Sequence, residues 1–158
     1  MVDVALRFEV EDLYARYAAL LDDGPLLEWP ELFAQECLYQ VIPRDNYDRG
    51  LPLAIIRCES RGMLVDRIRA TQETIMHEPR YLRHQITNVR VTGADAGRVD
   101  AVANYCVVEV LPDDLPRILS VGRYIDVLRR RGDGALEFSE KRCVYDSVLV
   151  PNTIVYPL

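Results

Sequence analysis

The chain has 158 residues, 49% of them hydrophobic and 28% charged, with a formal net charge of −6 at pH 7 and a sequence pI of about 5.0. That composition excludes an intrinsically disordered chain. The length suits a single domain, residues 1–158, which can bury roughly two thirds of its unfolded surface without metal or disulfide staples.

Acidic and basic residues are interspersed, so no basic tract attracts a phosphate backbone and nucleic acid is not an expected partner. Asp3 and Glu9 fall where a signal peptide needs basic and then uninterrupted apolar residues. No apolar run approaches the ~20 residues of a membrane helix, so the expected location is cytoplasmic, with no membrane partner.

Leu6, Val10, Leu13, Tyr14, Tyr17, Leu20 and Leu21 recur at three- and four-residue steps and predict an amphipathic helix, stopped by Asp22, Asp23, Gly24 and Pro25. A shorter helix is expected within Leu26–Ala34, with Pro30 in its first turn and Trp29 as a core anchor. Cys37–Ile42 and Leu53–Cys58 read as a hairpin around the polar loop Arg44–Gly50. Ser60 can cap a third helix running to Ile75, ended by Pro79.

From Tyr81 the hydrophobic period changes to two. Tyr81–Val91, Arg98–Leu111, Arg117–Arg130 and Ala135–Val150 predict four strands separated by turn-rich segments, most economically an antiparallel meander. Alternation places His84, Ile86, Asn88 and Arg90 on one face of the first. In the second, both parities are apolar, Val99 to Val107 on one and Val102, Cys106, Val108 and Val110 on the other. Three helices can cover one face; the other asks for a partner subunit. The apolar end, Pro151–Leu158, is expected to dock on its own domain or a neighbour.

Cys37, Cys58, Cys106 and Cys143 are far apart and form no C-x-x-C pair, and His77 and His84 show no metal-binding spacing. Buried free thiols are expected, with no metal or cofactor held by this chain.

The order helix, helix, hairpin, helix, four-strand meander resembles the cone-shaped α+β fold, nuclear transport factor two-like or cystatin-like, of nuclear transport factor two, ketosteroid isomerase and scytalone dehydratase. Its expected form is a curved antiparallel sheet packed by three helices. More specifically, Glu28 and Trp29, Leu32 and Phe33, Cys37 and Tyr39, Asp66 to Ile68, Arg80, Arg83 and His84, Asn88 and Val89, Tyr124 to Asp126, Arg142 and Asp146 together resemble the small (beta) subunit of aromatic-ring-hydroxylating dioxygenases. The resemblance covers almost the whole chain. It implies a structural subunit of the terminal oxygenase in aromatic compound catabolism, in which a large (alpha) partner subunit carries a Rieske iron-sulfur cluster and a non-haem iron, and small subunits associate in a trimer. Two histidines cannot furnish both metal sites. Val144 to Asp146 departs from the family's usual pattern and leaves the subfamily open, while the short tail is similar to subunits serving carboxylated aromatics such as terephthalate or benzoate.

The alternative is a stand-alone isomerase, dehydratase or small-ligand-binding protein using the cone cavity. Its candidate residues are His84, Tyr14, Tyr124 and Asp126, with Tyr17, Asp22, Tyr105 and Glu109 of suitable type. For a scaffold the candidates are Arg83, Arg90, Arg142 and Asp146, as interface contacts or ion pairs within the chain.

Overall fold

A computed structural model describes residues 3–74, 76–149 and 154–158. Helix α1, Val4–Asp22, starts where the Asp3 side chain accepts from the Ala5 N–H, and it buries Val10, Leu13, Tyr14, Tyr17 and Leu21. The next segment, Leu26–Leu32, is a 3₁₀ helix with Pro30 inside it rather than an α-helix with Pro30 in the first turn. Proline has no N–H to give an i→i−4 bond, and the tighter winding needs to last only seven residues. Trp29 is fully buried there, edge-on to Phe33 and Tyr39 with ring centroids at 5.0 and 5.3 Å.

Strand β1, Phe33–Pro43, begins earlier than the sequence pattern suggests and pairs antiparallel with the short β2, Ile56–Cys58. The expected polar loop between them contains a one-turn helix, α2, Arg44–Asp48. Pro43 stands at its N-cap, and Gly50, at φ 67°, takes the left-handed conformation that follows it. Helix α3, Arg61–Glu73, is capped by the Ser60 hydroxyl accepting from the Met63 N–H, as expected, and stops two residues earlier than predicted; Ile75 lies outside the described residues.

The meander follows as β3 Tyr81–Asp95, β4 Arg98–Val110, β5 Arg117–Arg130 and β6 Leu136–Tyr145. Strand order across the six-stranded sheet is β2-β1-β6-β5-β4-β3. Every pairing is antiparallel except β1 with β6, which runs parallel because the chain crosses from one side of the sheet to the other through α3 and the meander. Register shifts between β3 and β4, β4 and β5, and β5 and β6 bend the strands, giving a curved, unclosed sheet.

One such shift corrects the expected face of β3. Between Thr87 and Arg90 the strand gains a bulge, with Asn88 at φ 54°. Leu82, His84 and Ile86 point inward before it; Val89 and Val91 do so after it, so Asn88 and Arg90 stand on the opposite face from His84. Strict two-residue alternation fails wherever one extra residue is inserted.

The inner face of β4, Val99, Ala101, Ala103, Tyr105, Val107 and Glu109, is buried. Its outer face, Val102, Cys106, Val108 and Val110, is only half-buried, and Ile118 and Val121 beside it on β5 are 63% and 39% exposed. Ile154, Val155 and Leu158 are buried against the rest of the domain. Val150 to Thr153 lie outside the described residues.

Candidate functional site

Antiparallel register sets Asp126 of β5 opposite Lys141 of β6, and strand parity turns both inward together with Tyr124. Lys141 Nζ donates to Asp126 Oδ2 at 2.9 Å, and the Tyr14 hydroxyl, from α1, donates to the same oxygen at 2.6 Å. Neither side chain of the ion pair has any exposed surface. The ammonium also lies 3.5 Å from the Tyr124 ring centroid, 4.3 Å from Tyr17, 4.7 Å from Phe138 and 4.8 Å from Tyr14. An ammonium removed from water must be compensated, and here a carboxylate and four π faces surround it.

Burial raises the Asp126 carboxyl above its usual range, with Lys141 and the Tyr14 hydroxyl pulling the other way. It pushes the Tyr14, Tyr17, Tyr39 and Tyr124 phenols well above theirs, and the Cys143 thiol up to about 12. Tyr17 and Tyr39 both reach the main-chain oxygen of Leu158, and Cys143 Sγ lies 3.1 Å from it. Aromatic rings, one lysine and Leu158 crowd the inside of the curved sheet, and a groove of about 540 Å³ remains between α1 and β3.

His84 is held elsewhere. Its Nδ1 lies 2.6 Å from Asp22 Oδ1, which requires Nδ1 to carry the proton, and its main-chain N–H donates to both Asp22 oxygens at 3.0 and 3.1 Å. One carboxylate at the end of α1 therefore ties down an amide of the edge strand β3 and the imidazole on it. His84 Nε2 is buried without a partner, as are Tyr124 Oη and Asp126 Oδ1. Of the four residues suited to acid-base chemistry, Tyr14, Tyr124 and Asp126 come together. His84 approaches the group through the ring of Tyr17, edge-on at 6.5 Å, and lines the groove together with Tyr14, but among the described residues no hydrogen bond joins it to the other three.

The four residues considered for an interface sit apart from one another. Arg83 pairs with Asp23 at 2.9 Å, Arg142 with Glu140 at 2.5 Å, and Asp146 with Arg44 of α2 at 3.1 Å, while Arg90 is exposed on the bulge. Glu109, inside the sheet at its other end, is clasped by Arg80 at 2.6 Å and Arg117 at 2.8 Å. The described residues contain no group of three or more His, Cys, Asp or Glu able to hold a metal ion, and the four cysteines are unpaired.

Sequence reasoning passed over Lys141, the centre of the buried cluster. A signal was available, since it is the only lysine beside eighteen arginines.

A curved, unclosed sheet with helices packed on its inner side defines a member of the nuclear transport factor two-like folds. The chain belongs to the family described as ring hydroxylating beta subunit, whose pattern matches residues 16–152. It is 31% identical to the anthranilate 1,2-dioxygenase small subunit of Burkholderia cepacia, over 99% of this chain and 96% of that one. It is 30% identical to a terephthalate 1,2-dioxygenase terminal oxygenase beta subunit of Comamonas sp, over 91% and 93%. Among solved structures, the beta subunit assigned to an aromatic-ring-hydroxylating dioxygenase of Novosphingobium aromaticivorans superposes with a TM-score of 0.88 at 35% identity, covering 98% of this chain and 97% of that one. Naphthalene 1,2-dioxygenase shares the fold, with a TM-score of 0.83 at 19% identity over 100% of this chain and 88% of that one.

Proposed function

We propose that the chain is the small, structural subunit of the terminal oxygenase of an aromatic-ring-hydroxylating dioxygenase, and that its work is to hold large subunits in place. The observation that carries this beyond family membership is an apolar patch on the outer face of the sheet. Cys106, Val108 and Val110 of β4 and Ile118 and Val121 of β5 form a patch that no element of the described chain fully covers. Apolar surface of this kind is stabilised by association.

In this reading the Rieske cluster and the non-haem iron belong to the large partner subunit, and small subunits associate as a trimer beneath a trimer of large ones. Arg83, Arg142 and Asp146 contribute charged contacts at the rims of these interfaces, where they set register more than affinity. The complex works in the cytoplasm; no helix among the described residues is long and apolar enough to cross a membrane. Anthranilate, terephthalate and p-cumate, named in the relatives, are all aromatic carboxylates. The similarity to those relatives supports a carboxylated ring as the substrate class.

Co-expression with a large oxygenase subunit from the same genome tests the assignment. The expected product is a stoichiometric complex that contains iron. A chain that ignores the large subunit and turns over a carbonyl substrate alone contradicts it.

A further inference from the structure

The bulge in β3 opens a notch of about 730 Å³ between β3, β4, β5 and the start of α1. Its floor is apolar, made by Val102 and Ile125, and Arg7, Arg90 and Arg123 surround it. The Asn88 and Asn104 amides complete the polar lining. The volume falls within the usual range for small-molecule sites.

The cations are under-used by the chain itself. Arg7 is engaged by Glu11 at 2.8 Å. Arg123 has only Asp48 at 3.6 Å, and its Nε is buried without a hydrogen-bond partner. Arg90 has no ion-pair partner among the described residues. Asn88 takes a left-handed backbone, φ 54°, which costs an asparagine less than other side chains. The bulge thereby turns Arg90 out of the inner face, so that it lines the same notch as Arg123. The notch lies beyond the Asn104 and Arg123 pair, next to the apolar patch assigned to subunit contact and not within it.

We infer that this notch binds a small aromatic carboxylate, the carboxylate held by the Arg90 and Arg123 guanidiniums and the ring lying on Val102 and Ile125. Guanidiniums pair with carboxylates through two parallel hydrogen bonds, and the apolar floor favours a ring over a small hydrated anion. The inference concerns the chain itself and stands whether or not the oxygenase assignment does.

The test is titration of the full-length chain with benzoate, followed by calorimetry and by arginine side-chain NMR, with acetate and toluene as controls. Saturable binding is expected, with the Arg90 and Arg123 Nε–H signals shifting. Arg90→Gln should weaken it ~10-fold, and the double variant Arg90→Gln with Arg123→Gln should abolish it, while circular dichroism stays unchanged. Acetate and toluene should each bind at least ~10-fold more weakly, because each lacks one half of the recognition. No saturable benzoate binding, equal binding of either control, or binding that survives the double variant overturns the inference.

Discussion

Lys141 and Asp126 face each other across β5 and β6 at 2.9 Å, both side chains completely buried, with the Tyr14 hydroxyl on the same carboxylate oxygen. Removing one partner leaves an uncompensated charge inside an aromatic shell. Lys141→Met alone, or Asp126→Leu alone, should lower unfolding free energy by about 3–5 kcal/mol, and the two together should cost far less than the sum. Urea denaturation of the three variants checks this; strictly additive losses would show that the pair is not coupled.

Being the only lysine, Lys141 also reports on opening of the fold. Amine-reactive labelling of the native chain should modify Lys141 only at the rate of global unfolding. Peptide mapping locates the label, and prompt Lys141 labelling would show that the interior is accessible.

The buried thiols and phenols make the fold sensitive to alkali. Burial raises Cys143 to about 12 and Cys37 to about 11 from a reference of 9.0, so both stay protonated in the folded state while the unfolded chain ionises. The stability they contribute is fully present below pH 9 and is lost as pH rises through the folded values. The raised tyrosines act in the same direction. Thermal melts at increasing pH should show Tm falling from about pH 9 upward, and at neutral pH the partly exposed Cys106 should react with a thiol reagent before the three buried cysteines.

Gly122 has no room for a side chain. A Cβ there would overlap the Val144 carbonyl oxygen and come within 2.8 Å of Tyr145 Cα, both backbone atoms of the neighbouring strand β6. Gly122→Ala should therefore destabilise by about 3 kcal/mol, read as a shifted denaturation midpoint, whereas Gly132→Ala, which meets nothing within 4 Å, should be near neutral.

On the outer face, Val121→Glu should leave the monomer folded and reduce self-association, because a charge in the centre of an apolar contact must be desolvated. Analytical ultracentrifugation measures the shift towards monomer. An unchanged assembly would place the contact elsewhere.

Much of this fold was legible because local patterns dominate it. The α1 stripe from Val10 to Leu21, the Ser60 cap and the turn-rich breaks between the last four strands all appear where period and turn chemistry put them. What was not legible depended on contacts distant in sequence. The bulge at Asn88 carries no local sign beyond an asparagine that tolerates positive φ, yet it reverses the facing of Val89 to Val91. The parallel pairing of β1 with β6 joins Val41 to Cys143, about which neither segment says anything by itself. The apolar second parity of β4 did signal an outer surface that needs covering. The interior cluster was half visible: parity grouped Tyr124 with Asp126, but only the register between β5 and β6 introduces Lys141, and only the return of α1 brings Asp22 to His84.

In the proposed role the interior of this chain supports the fold and the oxygen chemistry belongs to the large subunit. The most direct measurement is oxygen consumption, normalised to iron, by the complex assembled with His84→Ala. That substitution removes the imidazole, while the main-chain amide at position 84 keeps its contact with Asp22, so the expected loss of stability is about 1–3 kcal/mol. The account predicts a complex of unchanged stoichiometry with a rate within about twofold of the parent. A complex that assembles normally and loses turnover would contradict it and return His84 to the chemistry.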